Sequence, residues 1–112
     1  MSLVETSAGL AIQTITSGTT PNDVATYPML SAPSVTFSIA GTFSGTITFE
    51  ATLDNQTWYA IGAIKLSDGT TTSTTTTTGL FAITNTGFSS VRARCSTYSS
   101  GNITVMLGRG LW

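Results

Sequence analysis

The sequence predicts an all-β protein, an antiparallel two-sheet β-sandwich of jelly-roll or immunoglobulin-like strand order. Three observations carry this. Apolar residues recur with a period of two, the spacing that puts alternate side chains on one face of a strand. Turn residues interrupt these runs about every 10–12 residues, the rhythm of sandwiches and barrels. The chain of 112 residues contains 24 Thr and 14 Ser, and Thr and aromatic residues favour strands. No stretch has the period of a long helix.

Taken in order, Leu10-Ala11-Ile12-Gln13-Thr14-Ile15 reads as a first strand over 10–16. The segment 18–33 holds all three prolines, Pro21, Pro28 and Pro33, and little alternation. It reads either as a long connection or arm over the surface, or as a crossover between the two sheets; long unstructured loops in small domains often serve a function. The clearest alternation follows: Val35, Phe37 and Ile39, then Phe43, Ile47, Phe49, Ala51 and Leu53, all odd-numbered, with Gly41 and Gly45 fitting a hairpin or bulge. These give strands over 35–40 and 43–53. Asp54-Asn55-Gln56-Thr57 breaks the chain before Trp58. The next strand, 57–65, is apolar on both faces. Tyr59, Ile61 and Ala63 share one parity, and Trp58, Ala60 and Ile64 the other, with a bulge at Gly62. It therefore predicts one ring in the core and the other against a covered outer face. Ser67-Asp68-Gly69 is a hairpin-type turn.

Between Gly69 and Gly79 every residue is Thr except Ser73. This run reads as an edge strand over 70–77 or as a solvated loop; an edge without Lys, Pro or charge is open to pairing with another chain. Strands over 79–84, 88–97 and 102–109 complete the set. In these, Val91, Ala93 and Cys95 face inward against outward Arg92 and Arg94, and Ile103, Val105 and Leu107 repeat the pattern. The organisation is one domain, with 1–34 as an N-terminal strand and extended arm and 35–112 as the sandwich.

Charged residues make up 8% of the chain, against roughly 25% in ordinary soluble domains. Four cations give no electrostatic footprint for nucleic acid. No apolar run approaches the roughly 20 residues of a membrane helix. Met1-Ser2-Leu3-Val4-Glu5 does not begin a signal peptide, so synthesis in the cytoplasm is expected. A net charge of −1 does little to hold copies apart, which favours a protein that works inside an assembly.

Chemistry is sparse. Without histidine there is no Ser–His or Cys–His pair, and Cys95 reads as a buried small hydrophobe rather than a reactive thiol. Glu50 and Asp54 share a strand face but stand some 13 Å apart at about 3.3 Å per residue, too far for a glycosidase pair. One cysteine and no histidine exclude the usual zinc sites. Asp54, Asn55 and Asp68 make a weak calcium site only if their loops meet; turn hydrogen bonding is the simpler role. No catalytic residue, metal ligand or cofactor is therefore expected, and the protein is expected not to be an enzyme. Arg92 and Arg94 read either as partners of Glu50 across adjoining strands or as an interface patch. A terminal Trp112 after Leu111 is expected to dock on its own sandwich or on a neighbour. The expected interface residues are Leu3, Val4, Tyr27, Arg92, Arg94, Leu111 and Trp112.

Gly45-Thr46-Ile47-Thr48-Phe49-Glu50, Asp54, Trp58 and Ile61, then Gly79-Leu80-Phe81-Ala82-Ile83, Gly87-Phe88 and Val91-Arg92-Ala93-Arg94, closing with Tyr98, Ser100-Gly101, Ile103 and Val105, form a pattern over residues 43–107. It resembles small β-sandwich structural proteins of tailed bacteriophage virions. The resemblance implies a non-enzymatic structural module, often trimeric. It would most readily be a capsid decoration (cement) protein that stabilises the shell by binding the major capsid protein. Neck or tail placement, bound to other virion proteins, is the alternative. A carbohydrate-binding sandwich displayed on the particle, stacking sugars on Tyr59 and Tyr98, is a third reading. Virion localisation, a homo-oligomer, and no nucleic-acid or membrane partner complete the expectation.

Overall fold

The alternating segments form strands in the computed structural model, which describes residues 4–5, 10–16, 24–28, 34–83 and 88–109. In chain order these are β1 (Val4–Glu5), β2 (Leu10–Ile15), β3 (Val24–Pro28), β4 (Val35–Ala40), β5 (Phe43–Thr52), β6 (Tyr59–Ala60), β7 (Ala63–Lys65), β8 (Thr71–Thr72), β9 (Thr74–Thr75), β10 (Gly79–Ile83), β11 (Ser90–Gly101) and β12 (Ile103–Arg109). There is no helix among the described residues. Two antiparallel sheets result. One runs β1-β2-β12-β4-β10-β7-β8, and the other β3-β11-β5-β6, with β9 also pairing β5.

Counting the eight principal strands β2, β3, β4, β5, β6, β10, β11 and β12 from one to eight, one sheet reads 1-8-3-6 and the other 2-7-4-5. That interleaving, in which successive strands pass between sheets, is the strand order of a jelly roll. It decides between the two architectures the spacing allows.

The odd-numbered residues build the core as their period requires. Val35, Phe37 and Ile39 from β4, Ile47, Phe49 and Ala51 from β5, and Ile103, Val105 and Leu107 from β12 are all buried. Phe49 enters from the five-stranded sheet between Phe37 and Phe81, register partners in the other. Its ring centroid lies 5.2 Å from that of Phe37, edge-on, and 5.0 Å from that of Phe81. Gln13 of β2 donates its side-chain amide to the Val24 carbonyl of β3, tying the sheets at a polar point.

The corners where strands change sheet depend on glycine. Gly41 (φ +105°) ends the β4–β5 corner and Gly101 (φ +92°) the β11–β12 corner. The two corners touch through the Asn102 amide, which donates to the Thr42 carbonyl at 3.0 Å. A Cβ on Gly101 would lie 2.2 Å from the Thr42 oxygen, and one on Gly41 2.4 Å from the Asn102 oxygen. Only glycine meets both the backbone conformation and the approach.

Several sequence expectations are resolved or corrected. The segment 18–33 contains β3, which pairs with β11 through Val91↔Tyr27 and Ala93↔Ala25. The chain thus crosses from one sheet to the other there, as the second of the two readings has it. The expected strand 57–65 is two strands, β6 and β7, in different sheets, with the switch at Ile61-Gly62. The threonine run likewise supplies an edge to each sheet, β8 and β9. The hydroxyl of Thr72 turns it, donating to the Thr74 carbonyl at 2.7 Å and accepting from the Thr74 amide. Leu53 does not share the core face. β5 ends at Thr52, whose hydroxyl accepts from the Asn55 amide at 3.0 Å, and Asn55 sits at φ +62°. Leu53 is then 71% exposed. Tyr59 is 68% exposed and Trp58 half-buried, so neither ring enters the core.

Candidate functional site

On the outer face of the five-stranded sheet the even-numbered residues of β5 and β11 meet. The register sets Arg92 opposite Glu50 and Arg94 opposite Thr48. Cross-strand partners share a face, so two guanidinium groups and one carboxylate converge. Arg92 Nε donates to Glu50 Oε1 at 2.7 Å and Arg94 Nε to the same oxygen at 3.2 Å. Trp58 covers one side, with the Arg92 guanidinium 4.1 Å from its ring centroid. That distance permits a cation–π contact.

These long side chains roof the outer surface of β5. Thr48, Glu50 and Thr52 point away from the core and are nonetheless buried. Thr48 donates to Ser96 Oγ at 2.8 Å, and Ser90 to Asn55 Oδ1 at 3.1 Å. Two positive groups and one negative group leave a local charge of +1. Half of the chain's four cations are placed here. The arginines keep guanidinium N–H groups beyond their Nε bonds, and the Arg94 side chain is 36% exposed.

Among the expected interface residues that are described, Arg92 and Arg94 are the two brought together. Tyr27 lies in β3, two strands from β5 in the same sheet, opposite Val91. Val4 lies in β1, at one edge of the other sheet, opposite Ile12. Leu3, Leu111 and Trp112 lie outside the described residues. Glu50 and Trp58 are the members absent from the expected set. Glu50 is nonetheless the cross-strand partner that one of the two readings of Arg92 and Arg94 gave, whereas no signal in the sequence pointed to Trp58.

A second feature lies at the end of the sandwich where β5 stops and β6 starts. A cavity of about 320 Å³ opens there, with Ala51, Ile61 and Phe88 beneath and Leu53 and Tyr59 at its mouth. Asp54 forms its polar side. Asp54 Oδ1 accepts from the amides of Thr57 (2.8 Å) and Gln56 (2.9 Å) and from the Thr52 hydroxyl (3.1 Å). The Thr57 and Gln56 amides hold its carboxyl below the usual carboxylate range. Asp68 is held low in the same manner, chiefly by the Thr70 hydroxyl and then the Thr70 amide.

Cys95 is buried, its Sγ 3.2 Å from the Thr97 carbonyl. Tyr98 is half-buried, and its phenol donates to the Gly101 carbonyl at 2.8 Å. No group of three His, Cys, Asp or Glu able to hold a metal occurs among the described residues, and no described helix is long and apolar enough to cross a membrane.

Fold and site together define a small jelly-roll sandwich with a charged clamp on one sheet and an apolar cavity at one end. The chain belongs to the XepA family, whose model matches residues 10–109. Its fold is shared with SPBc2 prophage-derived protein YomS, at 17% identity and a TM-score of 0.71 over 97% of this chain and 100% of that one. It is shared too with PBSX exported protein XepA, at 17% identity and a TM-score of 0.73 over 89% of this chain. The chain spans 37% of that XepA's length. No curated protein matches the chain.

Proposed function

We propose that this protein is a non-enzymatic structural component of a phage virion, and that it decorates and stabilises the shell by binding the major capsid protein. The observation that carries the reading is family membership, joined to a prophage-derived neighbour whose entire length is this one sandwich. A sandwich whose Glu50 is bonded to two arginines and whose Asp54 and Asp68 are bonded within turns is suited to binding rather than to proton transfer. The scarcity of charge supports the same view. The short edges β8 and β9 are built of threonine alone and lack the lysines that guard exposed edges. Copies or capsid subunits set against such edges bury them, and the Arg92–Arg94 surface supplies the charge that fixes orientation.

The test removes the gene from the phage and compares particles with and without purified protein added back. Particles lacking it should lose genome at lower temperature and regain wild-type heat stability on addition. Equal heat stability in all three preparations contradicts the decoration role.

A second reading has one specific observation in its favour: the XepA of PBSX is described as an exported protein. On that reading the chain acts outside the particle. Fractionating a lysate separates the two, since a decoration protein sediments with particles and an exported factor stays in the supernatant.

A further inference from the structure

The cavity at the end of the sandwich plays no part in the decoration reading, and its lining has a distinct chemistry. Its base is apolar, from Ala51, Ile61 and Phe88. Tyr59 at its mouth is 68% exposed, an unusual state for an aromatic residue next to a strand that is buried on both faces. Its polar side is not a loose surface chain. Asp54 is fixed by two backbone amides and one hydroxyl, all on Oδ1. Its second carboxylate oxygen takes no part in these bonds. Thr57 lines the same cavity. The volume, about 320 Å³, is at the small end of ligand pockets, which run from about 300 to 1,000 Å³.

We propose that this cavity is a saccharide subsite that holds one pyranose ring at the end of a glycan, with Tyr59 stacked on the C–H face, Asp54 accepting from ring hydroxyls and Thr57 accepting from or donating to them. A sugar ring is the occupant we infer because it presents both surfaces the cavity offers. One face is apolar C–H and matches Tyr59 and the base. The edge carries hydroxyl donors that match a carboxylate already set in place. An apolar side chain from a partner would fill the base but leave the Asp54 carboxylate stripped of water beside it, which is unfavourable. A free carboxylate or phosphate would be repelled by Asp54, and the two arginines belong to a different face of the sheet. Asp54 remains ionised to well below neutral pH, so the acceptor persists across ordinary conditions.

The experiment uses the intact purified protein on an array of hexose and N-acetylhexosamine oligosaccharides. The strongest binder is then titrated against wild type, Tyr59→Phe, Tyr59→Ala and Asp54→Asn by protein-observed NMR. The expected result is binding that Tyr59→Phe keeps within threefold and Tyr59→Ala weakens at least tenfold, with shifts centred on Phe88, Ile61 and Thr57. Tyr59 is exposed, so both variants should melt with the wild type, and the melt confirms that lost binding is not lost folding. Asp54→Asn, whose turn bonds are at stake, is read only alongside its melting curve. Absence of binding on the array and at millimolar saccharide overturns the proposal. So does Tyr59→Ala binding as tightly as wild type, or shifts centred on Arg92 and Arg94. The assay needs no particle, so it can fail while the virion reading stands, and the reverse.

Discussion

Replacing Glu50 by alanine removes the one carboxylate that joins Arg92, Arg94 and the roof over β5. The size of the effect follows from exposure. The Glu50 side chain is 9% exposed and that of Arg92 20%, with 2.7 Å between the bonded atoms. Loss of one partner from a fully buried pair costs about 3–5 kcal/mol, and an exposed pair contributes about 0–1 kcal/mol. The Glu50–Arg92 bond lies between these limits, while Arg94, more open to water and at 3.2 Å, falls near the lower one. Together they set a loss of about 2 kcal/mol for Glu50→Ala. At about 4 °C per kcal/mol for a chain of this size, the melting temperature should fall by about 8 °C. Urea denaturation of wild type, Glu50→Ala, Arg92→Ala, Arg94→Ala and the two double variants with Glu50→Ala measures it. The double-mutant cycle should return a coupling of about 1 kcal/mol or more for Glu50 with Arg92, and less for Glu50 with Arg94. A loss below about 0.5 kcal/mol for Glu50→Ala, in the range of ordinary surface changes, would refute the claim that this cluster holds the outer face.

Other substitutions test other links. Phe49→Ala empties the space between Phe37 and Phe81 and should cost about 3–5 kcal/mol, read by urea denaturation. Gly101→Ala forces a Cβ against the Thr42 carbonyl and should abolish the cooperative melt, whereas Gly69→Ala, which has open space at φ +76°, should melt cooperatively at a lower temperature. Asp54 and Asp68 have folded-state pKa values below their ordinary value of 3.8. Their contribution to stability is therefore complete above that value and is lost as pH falls through the folded values. Asp54→Asn with Asp68→Asn should flatten the acid limb of a stability–pH curve and lower its plateau.

The sandwich was legible because the core imposes a period of two, and the large apolar residues from Val35 to Phe49 all take odd positions. The same rule failed at Leu53, where parity continues but the strand does not. The Thr52–Asp54–Asn55 turn ends the ladder, and hydrogen bonds two or three residues apart outweigh one more apolar contact. It failed again at Tyr59 because a jelly roll moves short strands between sheets, and alternation does not say to which sheet a residue belongs. β3 was hidden by Pro28 within it and by Pro21 and Pro33 on either side. Pro28 lacks a donor, yet it is tolerated at the end of an edge strand, and β3 bonds to β11 on one side. At the candidate site, parity gave the outward direction of Arg92, Arg94 and Glu50, and cross-strand pairing of arginine with Glu50 was one of the two readings it left open. Trp58 stacked on Arg92 was not foreseen, since the turn before β6 sets its direction.

The central claim, that the protein is a structural part of the particle, is tested most directly by its abundance there. Purified particles should be run on a stained gel and the intensity of this chain's band scaled to the major capsid protein. A decoration role predicts a band equivalent to hundreds of copies per particle. A band equivalent to a dozen or so moves the protein to the neck or tail, and no band in particles that package genome normally contradicts the claim.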